Sequence, residues 1–190
     1  SVEKGLFFFA RLAEEIGKHL PNIALLAIES RGTAGMVAQA GLLGGFDLTR
    51  HENIMIAPPV PKPRDIFAAA RVLLVPSVWE EPSGRVVAEA LVNGVPVLVS
   101  DRGGLAESAN GAGFVLPLPP DLTVQSQRPV SAEAVEPWLD LIVRLAFDEP
   151  FYEAAVARTR EAARIYERRR LAPRYVDFFR SVLDKPDRRR

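Results

Sequence analysis

Residues 75–107 read V-P-S-V-W-E-E-P-S-G-R-V-V-A-E-A-L-V-N-G-V-P-V-L-V-S-D-R-G-G-L-A-E, and their reading decides the fold. They continue a short apolar run, Val72-Leu73-Leu74-Val75, that stops at Pro76. Such a run, bounded by a breaker, predicts a buried strand. Pro82, Ser83 and Gly84 then interrupt the pattern. From Gly84 to Val92 the apolar residues Val86, Val87, Ala90 and Leu91 fit one face of a helix. Ser83 is a fair N-cap for it, and Gly94 closes it. Pro96-Val97-Leu98-Val99 predicts a second buried strand, and Gly103-Gly104 a turn. Strand, helix and strand joined by short turns form a βαβ unit, so the two strands are expected to be parallel.

Ligands of such sheets bind beyond the carboxyl ends of the strands. Two polar clusters fall there. Glu80 and Glu81 follow the first strand; Asp101, Gly103, Gly104 and Glu107 follow the second. The N–H groups of Ser83, Gly84 and Arg85 open a helix, and a helix start attracts anions such as phosphate. Gly84 has no Cβ to hold a ligand off the backbone. Glu81 precedes the helix and Glu89 lies inside it, eight positions on. A carboxylate accepts two hydroxyl hydrogen bonds at once, which suits a ribose diol or a sugar. A helix start between two such carboxylates describes a nucleotide-sugar site. The plainer alternative makes Glu81 and Glu89 surface acids and Gly103-Gly104 a turn and nothing more. Glu80 reads as a solvated neighbour.

Composition sets the outer bounds. The chain has 190 residues, 48% hydrophobic and 25% charged, as a soluble domain of ordinary size does. Its formal net charge is zero, so no global field favours nucleic acid or an anionic membrane. Without cysteine it has neither disulfides nor thiolate metal sites. His19 and His51 are the only histidines, neither has a second ligand at metal spacing, and no Asp-x-Asp occurs. No metal site is therefore expected. No apolar run approaches the roughly 18 residues of a membrane span. Arginines between 158 and 180 alternate with Glu161, Glu167 and Asp177, the pattern of a salt-bridged helical face and not of a nucleic-acid patch.

Outward from the central stretch, Leu6, Phe9, Leu12, Ala13, Ile16 and Leu20 predict an amphipathic helix over 4–19, ended by Pro21. A strand is expected over 22–28, a polar turn over 29–35 and a helix over 36–43. Another strand spans 54–57, a proline loop follows, and a short helix at 65–71 feeds the strand at 72. A last strand covers 113–116, an irregular loop 117–130, and three helices lie near 131–148, 150–166 and 169–184. Ser131 is a possible cap of the first, but Ala134 stands where a capping box needs Glu or Gln. Pro137 allows that helix to begin later. The Asp187-Arg-Arg-Arg tail should fray. Alternating strands and helices predict an α/β fold: a doubly wound, Rossmann-like parallel sheet with helices on both faces and further helices at the C-terminus.

The stretch resembles the donor-binding, C-terminal domain of GT-B glycosyltransferases, in particular the retaining family 4. The shared pattern is Pro76-Ser77, Glu81, Gly84, Glu89-Ala90, Gly94, Pro96-Val97 and Gly103-Gly104-Leu105-Ala106-Glu107, with Ser83 standing where relatives usually carry an aromatic residue. The resemblance implies transfer of a hexose from a nucleoside-diphosphate sugar to an acceptor hydroxyl on a glycan, lipid or small molecule. Glu89 would hold the donor ribose, Glu81 would lie near the transferred sugar, and Lys4 would bind the diphosphate. The backbone at Gly103 and Gly104 would line the sugar pocket, and Val60 would sit where relatives read the base. Glu107 would approach a sugar hydroxyl or cap the next helix. No cofactor is implied beyond the donor itself.

The resemblance also implies that the first strand of the sheet is missing. Relatives place a strand ending in arginine just before the pair matching Lys4-Gly5, and this chain has no such strand. The expectation is that residues 1–190 are one nucleotide-sugar-binding domain cut from a longer protein, with an acceptor domain N-terminal to it. Residues 150–184 would then be free to dock that domain. An intact strand within residues 1–4, or pairing of 22–28 with 96–100, would contradict this. The expected location is cytoplasmic, with peripheral membrane attachment of a full-length protein left open. Two other readings stay open: a non-catalytic nucleotide-sugar-binding or interaction module, and a sugar-nucleotide epimerase of the same build.

Overall fold

The computed structural model describes residues 1–28, 45, 51–126 and 130–183. The turn expected at 29–35, the helix expected at 36–43 and the tail from Asp187 lie outside them. Five strands are described: β1 (Leu25–Ile28), β2 (Ile54–Ala57), β3 (Leu73–Val75), β4 (Val97–Ser100) and β5 (Phe114–Leu116). The α-helices are α1 (Leu6–His19), α2 (Pro63–Ala69), α3 (Arg85–Val92), α4 (Leu105–Ser108), α5 (Glu136–Phe147), α6 (Glu149–Ala163) and α7 (Arg168–Leu183). All strand pairs are parallel. β1 pairs with β2, with Leu25 opposite Ile54. β3, β4 and β5 form a second set in that order, with Val75 opposite Val99 and Val99 opposite Val115.

β4 shows why helices cover both faces. All four of its residues are buried. Val97 and Val99 pack with Val87, Leu91 and Leu105 of α3 and α4. Leu98, pointing the other way, joins Phe8, Leu12 and Ile16 of α1 and Trp138 of α5. Successive strand residues face opposite sides, so an unbroken apolar run is what a doubly covered strand requires. Phe8 and Trp138 meet edge to face, their ring centres 5.1 Å apart. Both are fully buried and anchor the larger core.

Local chemistry moves several boundaries. β1 begins at Leu25 and not at residue 22, because Pro21-Asn22 turns and the Ile23 N–H donates to the Leu20 carbonyl at 2.9 Å. α3 is capped by Gly84 and not by Ser83, with no side-chain cap bond. Ser131 accepts from the Ala134 N–H at 3.3 Å, but a single 3₁₀ turn (Glu133–Val135) precedes α5, which admits Pro137 in its first turn. Asp148 caps α6 by accepting from the Phe151 N–H at 3.0 Å, a signal the sequence reading passed over. Residues 2–4 form one 3₁₀ turn, and β1 pairs with β2 and not with β4. No helix among the described residues is long and apolar enough to cross a membrane.

Candidate functional site

The site is built where the N-terminal turn meets the exit of β3. The 3₁₀ turn Val2–Lys4 ends at Gly5, whose φ is +81°. A Cβ on Gly5 would stand 1.8 Å from the Pro76 carbonyl oxygen, so only glycine lets the two backbones touch. The Glu3 carbonyl accepts from the N–H groups of Val78 (3.0 Å) and Trp79 (3.1 Å). These bonds fasten residues 1–5 across the carboxyl end of β3.

That docking brings Lys4 to Glu81, and the two form an ion pair through Nζ and Oε1. The lysine side chain is 56% exposed and the carboxylate 13%. Ser77, fully buried, places its Oγ 3.0 Å from the same Glu81 oxygen. Ser100, equally buried at the end of β4, donates to the Ser77 carbonyl at 2.6 Å. Lys4 and Ser77, far apart in sequence, thus meet at one carboxylate, and Ser100 holds Ser77 from behind.

The glycine turn after β4 closes the other side. Gly103 has φ +57°, and a Cβ there would lie 2.5 Å from both the N and the O of Glu81. The Gly104 N–H donates to the Glu81 carbonyl at 2.6 Å. The pair is therefore glycine because this turn lies against the backbone of residues 80–82. Both open readings, simple turn and bare pocket lining, omitted that contact.

The helix start differs from the expectation of three free donors. The Gly84 N–H donates to the Ser108 Oγ at 3.0 Å, and the Arg85 N–H to the Ser83 carbonyl at 2.9 Å. Gly84 is buried, and a Cβ on it would press on Leu105 at 3.0 Å and Val87 at 3.2 Å. It is glycine so that α3 can begin against α4, and it is not an exposed floor for a ligand. Ser83 and the Arg85 side chain are exposed. Arg85 Nη2 stands 3.9 Å from Glu89 Oε1 one turn along α3, and the Glu89 side chain is 42% exposed. Val60 lies half-buried in the loop after β2. Glu107 lies in α4, and Asp148 is the side chain that caps a later helix start at α6.

Ser108 is tied down in turn. Its carbonyl accepts from the Tyr166 hydroxyl at 2.7 Å. Burial, and then the charge of Glu107, push the Tyr166 phenol above its ordinary range. Ser77 stands in the motif quoted above but was given no role there, and Ser108 and Tyr166 are positions the sequence reading did not single out. Ser77 carried a usable signal, since it is a hydroxyl one residue past the breaker at a strand's carboxyl end. Ser108 and Tyr166 carried none, because 58 residues separate them. Elsewhere, a cleft of about 320 Å³ opens between Asn110, Ala112, Arg158, Arg164 and Arg170. None of the site residues named above lines it, and it reads as a groove between surface arginines. Among those arginines the Arg164–Glu161 pair, at 3.0 Å, fits the expected salt-bridged face. His19 is exposed and 3.7 Å from Glu15. No metal-ligating group of three or more side chains occurs among the described residues.

The family described as "Glycosyl transferases group 1" matches residues 2–126, well over half of the chain. The chain belongs to this family. No curated protein matches it by sequence. Among solved structures, this group 1 domain is similar to the pneumococcal O-GlcNAc transferase GtfA, solved with UDP and GlcNAc. The TM-score is 0.74 at 18% identity over 97% of this chain and 34% of that one. It is also similar to sucrose-phosphate synthase from Thermosynechococcus elongatus, with TM-score 0.69 and 22% identity over 96% and 43% of the two chains. The Anabaena HepE protein, in complex with UDP-glucose, gives TM-score 0.64 and 18% identity over 86% and 41%. The group 1 domain thus has the fold of a GT-B glycosyltransferase domain and spans less than half the length of each of these proteins.

Proposed function

We propose that the chain is the donor-binding domain of a retaining glycosyltransferase that transfers a hexose from a nucleoside-diphosphate sugar to an acceptor hydroxyl. The observation that carries this reading is the junction at Glu81, where a lysine, a buried serine and a glycine turn from three segments meet at the carboxyl ends of β3 and β4. Glu81 is assigned to the hydroxyls of the transferred sugar, and Glu89 to the ribose. Lys4 takes the diphosphate, helped by the Arg85 guanidinium and exposed Ser83. The positive end of the α3 dipole adds to this, although the Gly84 and Arg85 N–H groups already have partners. Gly103 and Gly104 shape the sugar end through their contact with Glu81, and Val60 lies toward the base.

The chemistry asked of these groups is stabilisation of the leaving group. As the glycosidic bond breaks, negative charge collects on the diphosphate, and a cation already positioned there lowers the barrier. In this reading Lys4 supplies that charge, without a resident cofactor or metal. The acceptor, a glycan, lipid or small molecule, would be held by a further N-terminal domain. The apolar face of α7, with Tyr175, Phe178, Phe179 and Leu183 exposed, suits docking such a domain.

Calorimetric titration with UDP, GDP and ADP tests the reading. One of them should bind, and Glu89→Ala should weaken it by about 1.5–3 kcal/mol, as loss of hydrogen bonds to a charged group does. Failure of all three to bind would favour an interaction module instead. Product analysis on a full-length protein would separate sugar transfer from epimerisation.

A further inference from the structure

We propose that Ser77 is a positioning residue that keeps the Glu81 carboxylate aimed at the sugar when Lys4 turns to the diphosphate; the inference rests on the donor-site reading above. A serine hydroxyl has one proton to give. The Ser77 Oγ has three acceptors nearby: Glu81 Oε1 at 3.0 Å, the Glu3 carbonyl at 3.1 Å and the Trp79 carbonyl at 3.4 Å. The Glu3 oxygen already receives two N–H groups, from Val78 and Trp79, which occupy its two lone pairs. The Trp79 oxygen is the most distant of the three. The proton therefore goes to the carboxylate, where an ionised acceptor makes the strongest bond.

The two partners of Glu81 Oε1 differ in freedom. Lys4 sits on a flexible stem, 56% exposed, and in the donor-site reading its ammonium takes the diphosphate. Ser77 cannot move. It is fully buried, its carbonyl is held by Ser100, and the segment it begins is fastened to Glu3. When an anionic ligand draws the lysine away, the serine bond remains and fixes which way Glu81 points. Without it the carboxylate would lose its direction at the step that needs it.

The test compares nucleoside diphosphates with sugar nucleotides on the same chain. Wild type, Ser77→Ala, Glu81→Gln and the double variant are titrated with UDP, GDP and ADP and with UDP-glucose, GDP-mannose and ADP-glucose. Ser77→Ala should bind the diphosphate within about twofold of wild type but lose about tenfold or more on the matching sugar nucleotide. The double variant should bind no worse than Glu81→Gln alone, because both changes remove one interaction. Equal losses on both ligands, or no loss on either, overturn the proposal. So does a double variant whose losses add. If wild type binds no diphosphate, the donor-site reading itself has failed and takes this inference with it. Binding of the diphosphate without selective loss in Ser77→Ala sinks only the inference. Should Ser77→Ala not fold, Ser77→Cys keeps the bulk, weakens the donor and repeats the comparison.

Discussion

Tyr166 shows how one side chain can tie the site to the C-terminal helices. Its hydroxyl donates to Ser108, whose own hydroxyl accepts from Gly84 at the start of α3. Burial, and secondarily Glu107, favour the neutral phenol, so its pKa in the folded chain stands above the ordinary 10.0. A raised value means stability that is fully present below pH 10 and lost as pH climbs through the folded value. Urea midpoints measured from pH 8 to 11 should therefore fall more steeply for wild type than for Tyr166→Phe. At pH 7 the same variant should cost about 0.5–1.5 kcal/mol, the worth of one hydrogen bond. At this scale the sequence pointed to Lys4, Glu81 and Glu89 through motif positions, and the structure brings Lys4 and Glu81 together. The sequence could not reveal that the Gly84 N–H was already committed. That bond is made by Ser108, a residue of another helix that no local pattern points to.

Among the elements, the turn after β4 is tightly constrained. Gly103 has a left-handed φ, and a Cβ on it would meet the Glu81 backbone at 2.5 Å. Gly103→Ala should destabilise the chain by about 2–4 kcal/mol, backbone strain and overpacking together. Gly111 has φ +75° but nothing within 4 Å. Gly111→Ala should cost only about 1–2 kcal/mol, the penalty of the conformation alone. Chemical denaturation of the two variants side by side checks the difference. The βαβ unit from β3 to β4 was legible because its apolar runs are continuous and its breakers well placed. The cap of α3 was not. Ser83 has the right chemistry for an N-cap, yet packing of α3 against α4 through Leu105 selects Gly84.

Over the whole molecule, burial and exposure divide sharply between α1 and α7. Phe8 is fully buried against Trp138, whereas no residue of α7 is buried. Phe8→Ala should cost about 3–5 kcal/mol. Replacing both Phe178 and Phe179 by serine should change the stability of this chain by no more than about 0.5 kcal/mol. Urea unfolding followed by Trp fluorescence gives both numbers. A large loss in the second variant would mean that α7 already has a partner within the 190 residues. The place of β5 beyond β4 was not part of the sequence reading, whereas the parallel pairing of β3 with β4 followed from the strand-helix-strand pattern. The separate pairing of β1 with β2 did not, because nothing local to a strand records which edge it offers.

The glycine turn leaning on the backbone of Glu81 has a consequence for redesign. The segments after β3 and β4 are not independent parts. Here the two segments share a surface with no room for a methyl group. A chimera that imports one loop alone would inherit a collision, so the two segments have to be transplanted together.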